Sequence, residues 1–307
     1  LTSTANPANP ANLANPAHCQ PCSPAQLIFI FVPCKMSPEQ FFDLFVKELE
    51  AHPGLWSYYK FHTDEGSFSF RKAYFMQRLE YIRKAITRKD ATIWDIGCGY
   101  GTTALFLVLN GYKVHGTTLE FYYKILPERI KYWSQFGDVG GFTFDYEDLF
   151  DASVKREQFD YIIVQDTLHH LEPLQDALAI IHDHLKPNGE LVVIEENGKN
   201  IIQRLKLFKQ RGSKRIIEIY DERLKKNILL GNENIRSLNA WDTELSRKKL
   251  MIDHESVQYV RAYPPSVFNR YGYVAAIDKE QQLWRRNSLL RDYFFFGINF
   301  IARPVKG

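Results

Sequence analysis

From residue 37 onward the chain alternates between two hydrophobic periods. Ser37-Pro38-Glu39 reads as a helix start, a capping residue before proline. Phe41, Phe42, Leu44, Phe45 and Leu49 follow at helical spacing. A second stripe, Phe75, Leu79, Ile82 and Ile86, predicts a helix over about 70–88. Between the two lies an aromatic and polar segment, Trp56-Ser57-Tyr58-Tyr59-Lys60-Phe61-His62. Short apolar runs and helical stripes then take turns. Strands are expected over 91–95, 113–117, 141–144, 160–164 and 190–195, with helices over 102–109, 127–133 and 174–185. Asn110-Gly111 and Lys186-Pro187-Asn188-Gly189 punctuate them as a cap and a turn. This order predicts an α/β fold with a doubly wound sheet. Residues 200–265 leave the pattern and read as a polar, helical insertion after the fifth strand.

The first 35 residues differ from the rest. Ala-Asn-Pro recurs at 5–7, 8–10 and 14–16, and proline and asparagine at that density favour irregular chain. The expectation is a disordered extension or an upstream stretch, with Met36 as the natural first residue.

Composition narrows the class. Of 307 residues, 45% are hydrophobic and 24% charged, which fits an ordinary globular protein. A net charge of +3 is too small to argue nucleic-acid binding. The 17 tyrosines and 22 phenylalanines suit either an aromatic core or a cavity for an apolar ligand. Three of the four cysteines, Cys19, Cys22 and Cys34, precede residue 36, and Cys98 stands alone. That is no disulfide framework, and a reducing cytoplasm is the expected setting. Cys19 and Cys22 have metal-ligand spacing without a second pair, so no metal is expected. The longest uninterrupted apolar run, 27–32, is far short of the ~20 residues of a membrane helix. The start lacks the basic region of a secretory signal.

Trp94-Asp95-Ile96-Gly97-Cys98-Gly99-Tyr100-Gly101-Thr102 is the most informative stretch. An apolar strand ends in an acid, and a glycine-rich turn opens a helix whose N-terminus suits an anion. No G-K-[ST] follows, so it is not a P-loop. The third glycine of a dinucleotide fingerprint would fall at Thr102, so it is not that either. The D-x-G-x-G-x-G pattern resembles the first motif of class I methyltransferases, which use S-adenosyl-L-methionine.

The resemblance covers about 91–197 well and the last ~30 residues loosely. It implies a Rossmann-like, seven-stranded, mostly parallel sheet with helices on both faces, closed by an antiparallel pair of strands at 274–278 and 293–302. It divides the chain into an N-terminal helical cap (36–90), a cofactor-binding core (91–199), a helical insertion or lid (200–265) and the closing strands (266–307). By the same resemblance Asp95 accepts from the cofactor amino group, and Gly97, Cys98, Gly99, Gly101 and Thr102 face its amino-acid end. Thr118 takes the place usually held by a ribose-binding acid, with Leu119 and Glu120 following. That segment is similar to the cyclopropane-fatty-acid-synthase-like branch. Glu147, Asp148 and Leu149 would meet the adenine, Asp148 accepting from its amino group. Gln165 and Asp166 would lie beside the methionine part.

Leu168-His169-His170-Leu171 resembles a family segment near the methyl acceptor. An oxygen acceptor needs a base, and histidine titrates near neutral pH. His169 is the first candidate and His170 the second. Glu195 or Glu196 is expected to line the acceptor pocket. The resemblance implies methyl transfer, and the preferred acceptor is a small molecule methylated on oxygen, with nitrogen or carbon as the other acceptor atoms. The alternatives are cyclopropane or other acyl-chain chemistry, and a non-catalytic cofactor-binding scaffold. Gln165-Asp166-Thr167-Leu168 stands where N-P-P-Y or D-P-P-Y would mark amino-group methylation, which weighs against nucleic-acid or protein acceptors. The basic run Arg204, Lys206, Lys209, Arg211, Lys214 and Arg215 is either a solvated helix face or a contact for an acidic partner such as a carrier-protein phosphopantetheine.

Overall fold

The computed structural model describes residues 35–61, 65–119, 121–152 and 154–305. The readings of residues 1–34, with Cys19, Cys22 and Cys34, and of Glu120 lie outside these.

Five strands form the parallel part of the sheet: Thr92–Ile96 (β1), Lys113–Thr118 (β2), Phe142–Tyr146 (β3, at the sheet edge), Phe159–Gln165 (β4) and Leu185–Glu196 (β5). Alternation along them fills both faces. Ile93, Tyr161, Ile163, Val192 and Ile194 pack into one core. Trp94, Ile162, Val164, Leu191 and Val193 pack into the other. A hairpin of Ile216–Asp221 (β6) and Lys226–Gly231 (β7) forms a separate two-stranded sheet. Leu250–Val260 (β8) and Gly297–Pro304 (β9) complete the main sheet, whose order is β3-β2-β1-β4-β5-β9-β8. The last two pairings, β5 with β9 and β9 with β8, are antiparallel.

The helices α1 (Pro38–Ala51), α2 (Pro53–Tyr59) and α3 (Glu65–Ala85) precede the sheet. Ser37 and Gln40 form a capping box at α1, as the sequence anticipates. Thr102–Val108 (α4) and Leu126–Trp133 (α5) follow β1 and β2, and Leu174–His184 (α6) joins β4 to β5. Much of the aromatic content is core: Phe41 stacks on Trp133 with centroids 4.4 Å apart and meets Phe106 edge-on at 5.3 Å.

Three expectations change. The insertion is only partly helical. It holds Ile201–Arg211 (α7) and Leu238–Ser246 (α8), but also the β6–β7 hairpin and, from residue 250, the edge strand β8. β8 escaped its periodicity because it is irregular between Asp253 and Gln258 and pairs on one side only, so its middle is polar. The closing strand expected at 274–278 is instead part of Tyr273–Arg286 (α10), between Pro265–Tyr271 (α9) and Ser288–Phe294 (α11). Its buried positions, Ala276 and Glu280, are four apart. The Glu280 carboxylate accepts from the backbone N–H of Ala262 and Tyr263, which anchors α10 to the end of β8. Finally, Lys186-Pro187-Asn188-Gly189 does not precede β5 but bulges within it: Leu185 pairs with Phe159 and Glu190 with Tyr161. No helix among the described residues is long and apolar enough to cross a membrane.

Candidate functional site

The carboxyl ends of β1, β2 and β4 open into a cleft of about 780 Å³, within the usual range for small-molecule sites. The turn from β1 to α4 forms its floor. Gly97 and Gly99 have φ of +72° and +52°, a region that disfavours side chains. A Cβ on Gly97 would lie 2.4 Å from Thr167 Oγ1, so that position is also filled by the neighbouring loop. At Gly99 the nearest atom is a Tyr122 carbon at 3.9 Å, so this glycine leaves open space on the cleft side. Gly101 packs against Leu126 and Phe142 and shapes the turn rather than lining the cleft. Cys98, Thr102, Thr118 and Leu119 line it.

Asp95 lies directly below this turn and is 2% exposed. Its Oδ2 has no hydrogen-bond partner. Burial alone pushes its carboxyl up to about 7. A buried carboxylate oxygen without a donor fits a ligand that brings a cation or N–H groups.

The loop is braced from beneath. Arg129 on α5, fully buried, donates to the Tyr100 carbonyl and to Thr102 Oγ1. Glu48 on α1, also fully buried, holds it by two hydrogen bonds of 2.8 and 2.6 Å. Tyr59 shares a 2.6 Å hydrogen bond with Thr102. Tyr58, Tyr100 and Tyr122 cluster at the mouth, with ring centroids 4.3 to 5.3 Å apart. The pairing of Glu48 with Arg129 leaves no motif in the sequence, since the two are far apart in the chain and sit in ordinary helical stripes.

Glu147, Asp148 and Leu149 line the cleft after β3. Asp148 is already engaged: its carboxylate accepts from the Phe150 N–H at 3.3 Å and pairs with Lys226 on β7 at 2.5 Å. Gln165 accepts from Thr103 Oγ1 at 3.1 Å. Asp166, at φ +49°, pairs with Arg78 of α3. Arg78 and Arg261 both pack on the Tyr74 ring, 3.9 and 4.3 Å from its centroid, and all three residues line the cleft.

The two histidines have separate fates. His169 is 3% exposed and does not line the cleft. Its Nδ1 lies 2.6 Å from Glu195 Oε2 and its Nε2 3.6 Å from Glu233 Oε2. Burial pulls its imidazole toward neutrality, but Glu195, with Glu233 and Asp166 further off, pushes it up to about 9. With both ring nitrogens turned toward carboxylates and no face on the cleft, His169 is placed to hold the segment, and its neighbour is the histidine that meets the cleft. His170 lines the cleft. Its Nδ1 is 2.8 Å from the Gly231 carbonyl, which can only accept, so Nδ1 carries a proton and Nε2 is the nitrogen that bears the lone pair of the neutral ring. Glu195 holds His169 from behind, and Glu196 meets Gln203 of α7. Glu233 belongs to the turn after β7, in the stretch expected to be plainly helical.

A family model described as a methyltransferase domain matches residues 68–235. A ubiquinone biosynthesis O-methyltransferase of Xylella fastidiosa is 32% identical over 120 residues, 38% of this chain and 46% of that protein. One of Rickettsia canadensis is 26% identical over 122 residues, 38% of this chain and 49% of that protein. The chain therefore spans about half the length of the curated relatives it matches. Among solved structures, geranyl diphosphate C-methyltransferase from Streptomyces coelicolor matches with a TM-score of 0.53 at 14% identity, over 78% of this chain and 86% of that one. The [4+2]-cyclase SpnF matches with a TM-score of 0.51 at 16% identity, over 75% and 81%. At such identities these structures bear on the fold alone.

Proposed function

The chain belongs to the methyltransferase-domain family, and we propose that its cleft serves methyl transfer from S-adenosyl-L-methionine to an oxygen atom of a small-molecule acceptor. One observation carries this reading: the partnerless, buried Asp95 oxygen behind the glycine turn, whose Gly97, Cys98 and Gly99 line the same cleft as His170. The cofactor's amino group is a cation of the kind that oxygen lacks. Gly97, Cys98, Gly99 and Thr102 would hold the amino-acid end, with Gly101 setting the turn. Thr118 and Leu119 would meet the ribose, and Glu147, Asp148 and Leu149 the adenine. Asp148 would share its carboxylate with Lys226. Gln165 and Asp166 would flank the methionine part.

When bound, the cofactor supplies a methyl group on a positively charged sulfur. The chain's own residues have three tasks. They hold an acceptor lone pair in line with the methyl–sulfur bond. They exclude water, for which Ile217, Ile228 and Leu230 of the β6–β7 hairpin offer an apolar wall along the cleft. They take the hydroxyl proton, for which His170 Nε2 is the group with a free lone pair. His169 is a positioning residue, fixing the segment against Glu195.

The test is calorimetric titration with S-adenosyl-L-methionine and S-adenosylhomocysteine, with NADH as control. Micromolar binding of both, lost in Gly99→Arg, is expected. Binding of neither overturns the reading. A screen of hydroxylated acceptors with labelled methyl then tests the oxygen assignment.

A further inference from the structure

We propose that His169, His170 and Glu233 form a binding site for one divalent transition-metal ion at the acceptor end of the cleft. One donor atom from each lies within 4.8 Å of the others. Glu233 is 3.6 Å from His169 Nε2 and 4.0 Å from His170 Nε2. Donors around a tetrahedral zinc sit about 3.4 Å apart, given bond lengths of about 2.1 Å. Against the 4.8 Å within which the three donors lie, the widest pair would have to close by up to about 1.4 Å.

What lies behind the donors argues harder than their spacing. A metal-binding histidine presents one ring nitrogen and donates the other N–H to a carboxylate or a backbone carbonyl. Both histidines meet that condition, each in a different way: His169 Nδ1 to Glu195 at 2.6 Å, and His170 Nδ1 to the Gly231 carbonyl at 2.8 Å. Both Nε2 atoms therefore face Glu233. The third donor is built in as well. Glu233 sits at φ +56°, its carbonyl accepting from Ile235 N–H and from Arg211. The next residue, Asn234, donates its backbone N–H to the His169 carbonyl and its side-chain N–H to Glu172. A Cβ on Gly231 would lie 2.1 Å from the His169 carbonyl, so the end of β7 is pressed against the histidine pair as closely as backbone allows.

Two histidines and a glutamate match the donor set of catalytic zinc sites and of other imidazole-accepting divalent ions. The set leaves coordination positions open toward the cleft. This deepens the proposed function and rests on it for the ion's role. The acceptor would present two neighbouring oxygens, adjacent hydroxyls or a hydroxyl beside a carbonyl. Its hydroxyl proton would go to solvent, with His170 serving as ligand instead of base. The acceptor oxygen would then form the new bond to the methyl carbon while the carbon–sulfur electrons return to sulfur.

The test needs no acceptor. The full chain is stripped with EDTA and titrated separately with Zn²⁺, Mn²⁺ and Mg²⁺ by calorimetry. One equivalent of Zn²⁺ or Mn²⁺ is expected, binding at least about tenfold more weakly in both His170→Gln and Glu233→Gln. S-adenosylhomocysteine affinity, read on the same proteins, is expected to stay within about threefold and reports that the variants fold. Glu233→Asp, which only retracts the carboxylate, gives the same metal readout should Glu233→Gln misfold. No saturable binding of any ion, or equal affinity in wild type and variants, overturns the proposal. S-adenosylhomocysteine binding without metal binding sinks the metal site alone. Metal binding without it sinks the methyltransferase reading alone.

Discussion

Glu48 and Arg129, on helices far apart in the chain and neither exposed to solvent, meet in a two-point ion pair directly under the glycine turn. Arg129 carries that restraint on to Tyr100 and Thr102, tying the N-terminal helices to the glycine turn. Trp133 Nε1 donates to the same Glu48 carboxylate at 2.9 Å.

Glu48→Ala strands a buried guanidinium. We expect a loss of about 3–5 kcal/mol in unfolding free energy, measured by urea denaturation. S-adenosylhomocysteine affinity should fall with it. The double change Glu48→Met with Arg129→Met should cost less than either single removal, because it leaves no unpaired charge. Equal losses for all three would contradict the coupling.

On the proposed reading, Asp95 ties cofactor binding to pH. Its carboxyl sits at about 7 in the folded chain because burial disfavours the charge, against about 3.9 when unfolded. Between those values the folded state holds a proton that the unfolded state has lost. Stability therefore falls as pH rises from about 4 to 7 and is level above. Asp95→Asn should remove that slope and raise stability at pH 8. It should also weaken S-adenosyl-L-methionine binding tenfold or more. In wild type, that binding should strengthen as pH passes 7 and the carboxylate ionises. Calorimetry across pH 5.5–8.5 checks both.

Gly231→Ala places a methyl group where the His169 carbonyl already is, at 2.1 Å. The strand end must move away from the histidine pair, at about 1–3 kcal/mol. Methyl transfer should drop at least tenfold while S-adenosylhomocysteine affinity holds. A fully active variant would show that the hairpin is not part of the acceptor site.

Gly97→Ala meets Thr167 Oγ1 at 2.4 Å. Thr167→Ala removes that atom. If Gly97→Ala lowers cofactor affinity by crowding, Thr167→Ala in the same chain should restore part of it. No recovery would point to the φ of +72° together with the Thr167 Cβ, 3.0 Å away, which alanine keeps.

The parallel core was legible because β-branched runs such as Tyr161-Ile162-Ile163-Val164 are buried on both faces and need little context. The glycine turn was legible because Gly97 and Gly99 answer a local backbone demand. What escaped depends on distant partners. β8 is half polar because its outer side pairs with nothing in the sheet. Val274-Ala275-Ala276-Ile277-Asp278 looks like strand, yet it lies in a helix anchored by Glu280. Glu233 has no signal in its neighbours; only the return of β7 to the histidine pair gives it a role.

Lys226 shows a contrast between the two sides of the cleft. It joins the β6–β7 hairpin to Asp148 and Asp151 by ion pairs of 2.5 Å, and Asp151 is largely open to solvent. Dissolved ions screen such a contact, whereas the sealed Glu48–Arg129 pair is beyond their reach. Ionic strength thus acts as a selective key: it loosens the hairpin wall and leaves the helical wall locked. Salt should change how fast molecules enter and leave the cleft long before it changes how firmly the glycine turn is held.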